Sequence, residues 1–70
     1  MTMILDLHGI KHSDVKNTVE NFILTNQCPL KIIIGNSSTM KNIVTTTLDE
    51  HQYKWAIPSS NLAEVLVLKE

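Results

Sequence analysis

The sequence predicts an α/β domain. More closely, it predicts a two-layer α+β sandwich of order β-α-β-α-β-β, with a four-stranded mixed sheet carrying two helices on one face. Three observations lead there. Apolar residues recur at the helical period in two separate stretches, one around Val15 to Ile23 and one around Met40 to Leu48. Short aliphatic runs, alternating or nearly continuous, flank those stretches and are bounded by glycine, proline or polar clusters. A chain of 70 residues allows one domain at most, so all these elements must share one core.

The elements follow in order. From Met3 to Leu7, the residues Met3, Leu5 and Leu7 alternate with Ile4, Asp6 and His8. A strand here has one apolar face, and its other face carries an acid and an imidazole. Gly9 ends the run. Val15, Val19, Phe22 and Ile23 then fall at i, i+4, i+7 and i+8, the stripe of an amphipathic helix. Ser13 is the expected N-cap, and Asp14 suits the positive end of the helix dipole. Pro29 prevents continuation past Cys28. Leu30 to Ile34 (LKIII) reads as a central strand covered on both faces or nearly so, stopped by Gly35. Met40, Ile43, Val44, Thr47 and Leu48 mark a second helix, capped by Ser37 or Ser38. Acids at its end, Asp49 and Glu50 before His51, oppose the dipole and predict fraying. Tyr53 to Ile57 and Glu64 to Leu68 are two further strands, and Pro58 to Ala63 joins them as a hairpin. Tyr53 and Trp55 read as core or cross-strand residues, with a stacking platform for a base as the alternative.

Composition narrows the function classes. The chain is 43% apolar and 19% charged, with two glycines and two prolines, which argues against disorder. Cys28 is the single cysteine, so no intramolecular disulfide forms, and its predicted distance from any histidine argues against a cysteine nucleophile. No apolar run approaches the ~20 residues of a membrane helix, and no basic segment precedes an apolar one as in a secretory signal. A cytoplasmic protein without a membrane partner is expected. The net charge is −1, with six lysines and no arginine, so contact with nucleic acid would be local rather than through a broad basic surface.

A helix joining two neighbouring strands makes them parallel. Their carboxyl ends, the loops HGIKHS and GNSSTMK, and the amino ends of both helices then share one edge. His8, Lys11, His12, Asn36, Ser37, Ser38 and Lys41 converge there as a phosphate seat. Asp6 and His8, about 6–7 Å apart along a strand, would flank one phosphate. Asp6 would orient or deprotonate a water or hold a divalent ion, and His8 would act as acid, base or phosphate ligand. A metal site from Asp6, His8 and His12 lacks a fourth ligand at suitable spacing.

LDLHG (Leu5 to Gly9), an amphipathic helix, an apolar strand ending in a glycine loop, a second helix and a terminal hairpin together resemble the Smr (small MutS-related) domain across nearly the whole chain. The resemblance is to a divergent, minimal member, of the type carried in phage genomes. It implies a fold similar to the C-terminal domain of bacterial translation initiation factor 3. It also implies binding to structured DNA or RNA, or nicking endonuclease activity, in a cytoplasmic setting (the host's, for a phage protein). The family's acid and histidine map onto Asp6 and His8. Its glycine loop maps onto Gly35, with Asn36 and Ser37 filling the rest, and Gly9, Lys11, His12, Ser38 and Lys41 complete the expected nucleic-acid contacts. Mg2+ or Mn2+ is the cofactor such cleavage would call on. Family members show Thr-Gly-x-Gly or His-Gly-x-Gly in the loop and often carry glycines before the last strand. Here the loop reads Ile34-Gly35-Asn36-Ser37, the final stretch is PSSNLA, and no arginine is present for a bidentate phosphate grip. Three readings stay open: a nuclease, a binding module without chemistry, and a module that docks a protein or a second copy through the sheet face bearing Ile4.

Overall fold

The structure, a computed structural model, describes residues 2–70. Its elements are β1 (Met3–Asp6), α1 (His12–Thr25), β2 (Leu30–Ile33), α2 (Ser38–Glu50), β3 (Lys54–Ala56) and β4 (Glu64–Lys69). They form a four-stranded mixed sheet in the order β1-β2-β4-β3. β1 and β2 are parallel, and β4 runs antiparallel to both β2 and β3. The β-α-β-α-β-β order, the two helices and the closing hairpin are as the periodicities predict.

The inner sheet face is set by period-two geometry. Leu7, Leu30, Ile32, Ile34, Val65 and Val67 are buried there. Against them lie Val15, Val19, Phe22 and Ile23 of α1 and Met40, Val44 and Leu48 of α2, so both apolar stripes fall where the 3.6-residue period places them. Each of these large side chains contributes about 1.5–3 kcal/mol on burial. Thr47 is buried among them, and its hydroxyl donates to the Ile43 carbonyl at 2.7 Å. The buried Tyr53 hydroxyl donates to the Ile23 carbonyl at 3.1 Å, tying the approach to β3 to the end of α1.

Four expectations need correction. Lys31 and Ile33 of β2 are only half-buried, because both helices lie on the opposite face; β2 is central but not covered on both sides. Met3 is 51% exposed despite its inward parity, since it starts an edge strand. The N-cap of α1 is Lys11, in extended conformation with no side-chain cap bond, and Ser13 lies inside the helix. The end of α2 is tied down rather than frayed. Asp49 accepts from the Trp55 indole at 2.8 Å, Glu50 pairs with Lys16 at 3.4 Å, and His51 meets Glu20 at 2.9 Å. Gln52, at φ +62°, closes that end: its N–H donates to the Asp49 carbonyl, and the next N–H, of Tyr53, donates to Leu48. Among the described residues no helix is long and apolar enough to cross a membrane.

The strand order also decides what surrounds the carboxyl ends of β1 and β2. Ile33 lies opposite Glu64, so β4 begins where β2 ends. The loop that precedes β4 is thereby delivered to the same edge as the two loops that follow β1 and β2.

Candidate functional site

The first loop leaves β1 at Asp6. The Leu7 N–H still donates to the Ile33 carbonyl at 3.0 Å, and the Leu7 side chain is fully buried, so the loop starts from a fixed anchor. The Ile10 N–H then donates back to the Leu7 carbonyl at 3.0 Å, closing a turn with Gly9 at φ +81°. That third turn position calls for a left-handed backbone, and glycine meets it without steric cost. His8 is a turn residue, not a strand residue, so strand parity does not set where its ring points. The Asp6 carboxylate accepts the His8 backbone N–H at 2.9 Å.

The second loop leaves β2 after the buried Ile34. The N–H groups of Ile34 and Gly35 both donate to the Ala63 carbonyl, at 2.8 and 3.2 Å. Gly35 sits at φ +68°, and Gln52 is the only non-glycine residue with positive φ among those described. Asn36 and Ser37 therefore stay in ordinary backbone regions, and a glycine at either position is not required by the conformation. Ser37 caps α2: its hydroxyl oxygen accepts the Met40 N–H at 3.0 Å, and its carbonyl accepts the Lys41 N–H. The N–H groups that open α2, beginning with Ser38, are of the kind a helix cannot satisfy internally.

The two loops bound a cavity of about 260 Å³, in which His8, Gly9, Gly35, Asn36 and Ser37 surround a floor that includes Met40. A second cavity, about 270 Å³, shares Gly35, Asn36 and Ser37 and adds Ser38, Lys41 and Leu62. The site residues expected after β2 are thus together. Those of the first loop divide. His8 and Gly9 face the second loop. Lys11 lines a separate cavity of about 470 Å³ along α1, with Gly9, Asp14 and Thr18. His12 opens α1 as an exposed residue outside these cavities. Asp6 is exposed at the end of β1 and lines none of the three.

Charge at this edge is modest. Lys16 and Lys31 are engaged by Glu50 and Glu64, whereas Lys11 and Lys41 have no ion-pair partner among the described residues. Also among the described residues, no three His, Cys, Asp or Glu side chains group as a metal site would require. Asp6 and His8 alone are thus too few donors for a protein-built divalent-ion site. Burial, with the Glu70 carboxylate adding to it, pushes the Cys28 thiol above its usual value and disfavours the thiolate a nucleophile needs.

Sequence patterning missed the third loop. Leu62 is 71% exposed yet lines the Lys41 cavity, and the Ala63 carbonyl fixes the start of the glycine loop. Pairing of β4 with β2 causes both, and the one trace of it in the sequence is the run Val65 to Leu68, four apolar residues in a row, suited to a central strand. Comparison of the chain with models of known protein families, with curated proteins and with solved structures finds no match.

Proposed function

We propose that this chain is a nucleic-acid-binding domain of the Smr type, acting in the cytoplasm on structured DNA or RNA, whose two-loop edge seats a backbone phosphate and presents His8 for phosphodiester cleavage. The observation that carries this is the cavity between the loops, where His8 faces Gly35, Asn36 and Ser37 beside the amino end of α2. Lys41 and Ser38, at the amino end of α2, line the next cavity and supply positive potential there without a basic surface. In hydrolysis, water attacks phosphorus, one ester P–O bond breaks, and a proton moves from the water side to the leaving oxygen. An imidazole is suited to carrying that proton near neutral pH, and His8 is the one titratable side chain lining the cavity. Asp6 joins the site through its hydrogen bond to the same residue.

A binding module without cleavage is the second reading, favoured by the commitment of an Asp6 oxygen to the His8 N–H rather than to the cavity. One screen separates the two. The parent and His8→Ala are incubated with supercoiled plasmid, branched DNA and hairpin RNA, with Mg2+, with Mn2+ and with EDTA, while binding is followed by anisotropy. Cleavage lost in His8→Ala supports the nuclease, and binding without cleavage supports the module. No binding below ~100 µM at low salt, the weak end of non-specific affinity, refutes both.

A further inference from the structure

We propose that Asp6 is a positioning residue, and that it acts by holding the His8 backbone so that the imidazole faces the second loop. The proposal deepens the function proposed above and rests on it. Two independent observations support it. The Asp6 Oδ1 atom accepts the His8 N–H at 2.9 Å, a bond across two residues of the kind that lets Asp or Asn fix a turn. The Asp6 side chain also lies outside the cavity that His8 lines.

The local construction explains why such a tether matters. Leu7 is immobilised by its buried side chain and by hydrogen bonds from its N–H and to its carbonyl. Gly9, on the other side, is the residue with the widest backbone freedom and sits at φ +81°. His8 stands between a fixed point and the turn's glycine, inside the turn that the Ile10–Leu7 bond closes. Its own side chain is exposed and has no hydrogen-bond partner among the described residues. Two bonds set its backbone, the Ile10–Leu7 bond that closes the turn around it and its own N–H bond to Asp6, and that backbone is the base from which the ring projects toward the cavity it lines.

Ionisation is not needed for this role. An asparagine amide oxygen accepts the same bond from the same position and is favoured in the same turns. A general base loses about 10²–10⁴-fold when its carboxylate becomes an amide. A tether keeps most of its effect in that exchange and loses it only when the oxygen is removed.

The test compares Asp6→Asn and Asp6→Ala with the parent. Each is measured for cleavage of supercoiled plasmid, for anisotropy with a labelled hairpin RNA, and for hydrogen exchange at the His8 amide by NMR in the absence of nucleic acid. Thermal melts confirm that both variants are folded. The expected result is Asp6→Asn within about threefold of the parent and Asp6→Ala reduced about tenfold or more, the scale of one lost hydrogen bond. His8 amide exchange should be slow in the parent and in Asp6→Asn and faster in Asp6→Ala. An Asp6→Asn variant as impaired as Asp6→Ala overturns the proposal, as does a His8 amide exchanging freely in the parent. If the parent neither binds nor cleaves, the proposed function fails, while amide exchange in the three proteins still decides whether Asp6 holds His8.

Discussion

Gly35→Ala is the sharpest probe of the loop geometry. Gly35 has φ +68°, and a Cβ built on it meets nothing within 4 Å. A methyl group there finds room, so the cost is that of placing an L-residue in the left-handed region, roughly 1–2 kcal/mol. The smaller unfolded-state entropy of alanine offsets a few tenths of that. For a domain this size, each kcal/mol shifts the melting temperature by about 4–8 °C, so a fall of roughly 4–12 °C is expected. Gly35→Asn should fall by less, because asparagine enters the left-handed region more readily. Circular-dichroism melts of the three proteins in one buffer measure this. Equal losses for alanine and asparagine, or a loss beyond about 4 kcal/mol, would mean that space rather than backbone angle makes the glycine necessary. Gly35 also borders both cavities of the loop edge, so the same variants report on function. If a phosphate approaches this backbone, both should weaken hairpin-RNA binding at temperatures where they remain folded.

Three further outcomes are expected. Ser37→Ala removes the hydroxyl that accepts the Met40 N–H and should cost about 1 kcal/mol, read as a lower melting temperature. Lys41→Ala removes an exposed cation with no ion-pair partner among the described residues, so it should leave the melting temperature unchanged, weaken nucleic-acid binding, and reduce the log–log salt slope by about 1; an unchanged slope would remove Lys41 from the interface. Burial raises both the Cys28 thiol and the Tyr53 hydroxyl, the Glu70 carboxylate adding to each, so the folded state holds their protons to higher pH than the unfolded state does. Their contribution to stability is therefore complete below the usual cysteine value of 9.0 and declines as pH rises through and beyond it. Melts between pH 7 and 10.5 should show that decline, with a smaller slope in Cys28→Ala.

The helices and strands were legible because each has a single exposed face, and the period of its apolar residues survives in the chain. Val15, Val19, Phe22 and Ile23 spell out α1, and Met40, Val44 and Leu48 spell out α2. The parallel pairing of β1 with β2 followed from the intervening helix and correctly brought the Gly9 and Gly35 loops to one edge. What was not legible depended on single hydrogen bonds or on non-local pairing. Lys11 rather than Ser13 caps α1, a difference of two residues that no period reports. His8 lies two residues beyond Asp6, the last ladder position of β1, where strand parity no longer places a side chain. Leu62 and Ala63 reach the site only because β4 inserts between β2 and β3, and strand order is not written in any local pattern.

The loop that departs from the Smr pattern is also the loop this topology supports from outside. A second glycine would free the backbone at position 37, but Ser37 here has φ −86° and spends its side chain on capping α2. Rigidity at the loop's start comes instead from the Ala63 carbonyl, which takes both the Ile34 and Gly35 N–H groups. A loop clamped by the residue that precedes a neighbouring strand needs less conformational freedom and gains preorganisation, which reduces the ordering cost of seating a ligand. The net charge of −1 supplies little long-range attraction, so nucleic acid bound at this edge as proposed would be held by short-range donors: the N–H groups that open α2, Lys41, and His8 across the gap. For nucleic acid seated here as proposed, with about three phosphates neutralised, the expected log–log salt slope is about −2 to −3, far shallower than for a broad basic surface. A steeper slope would place the interface elsewhere on the molecule, because this edge does not hold the cations to produce it.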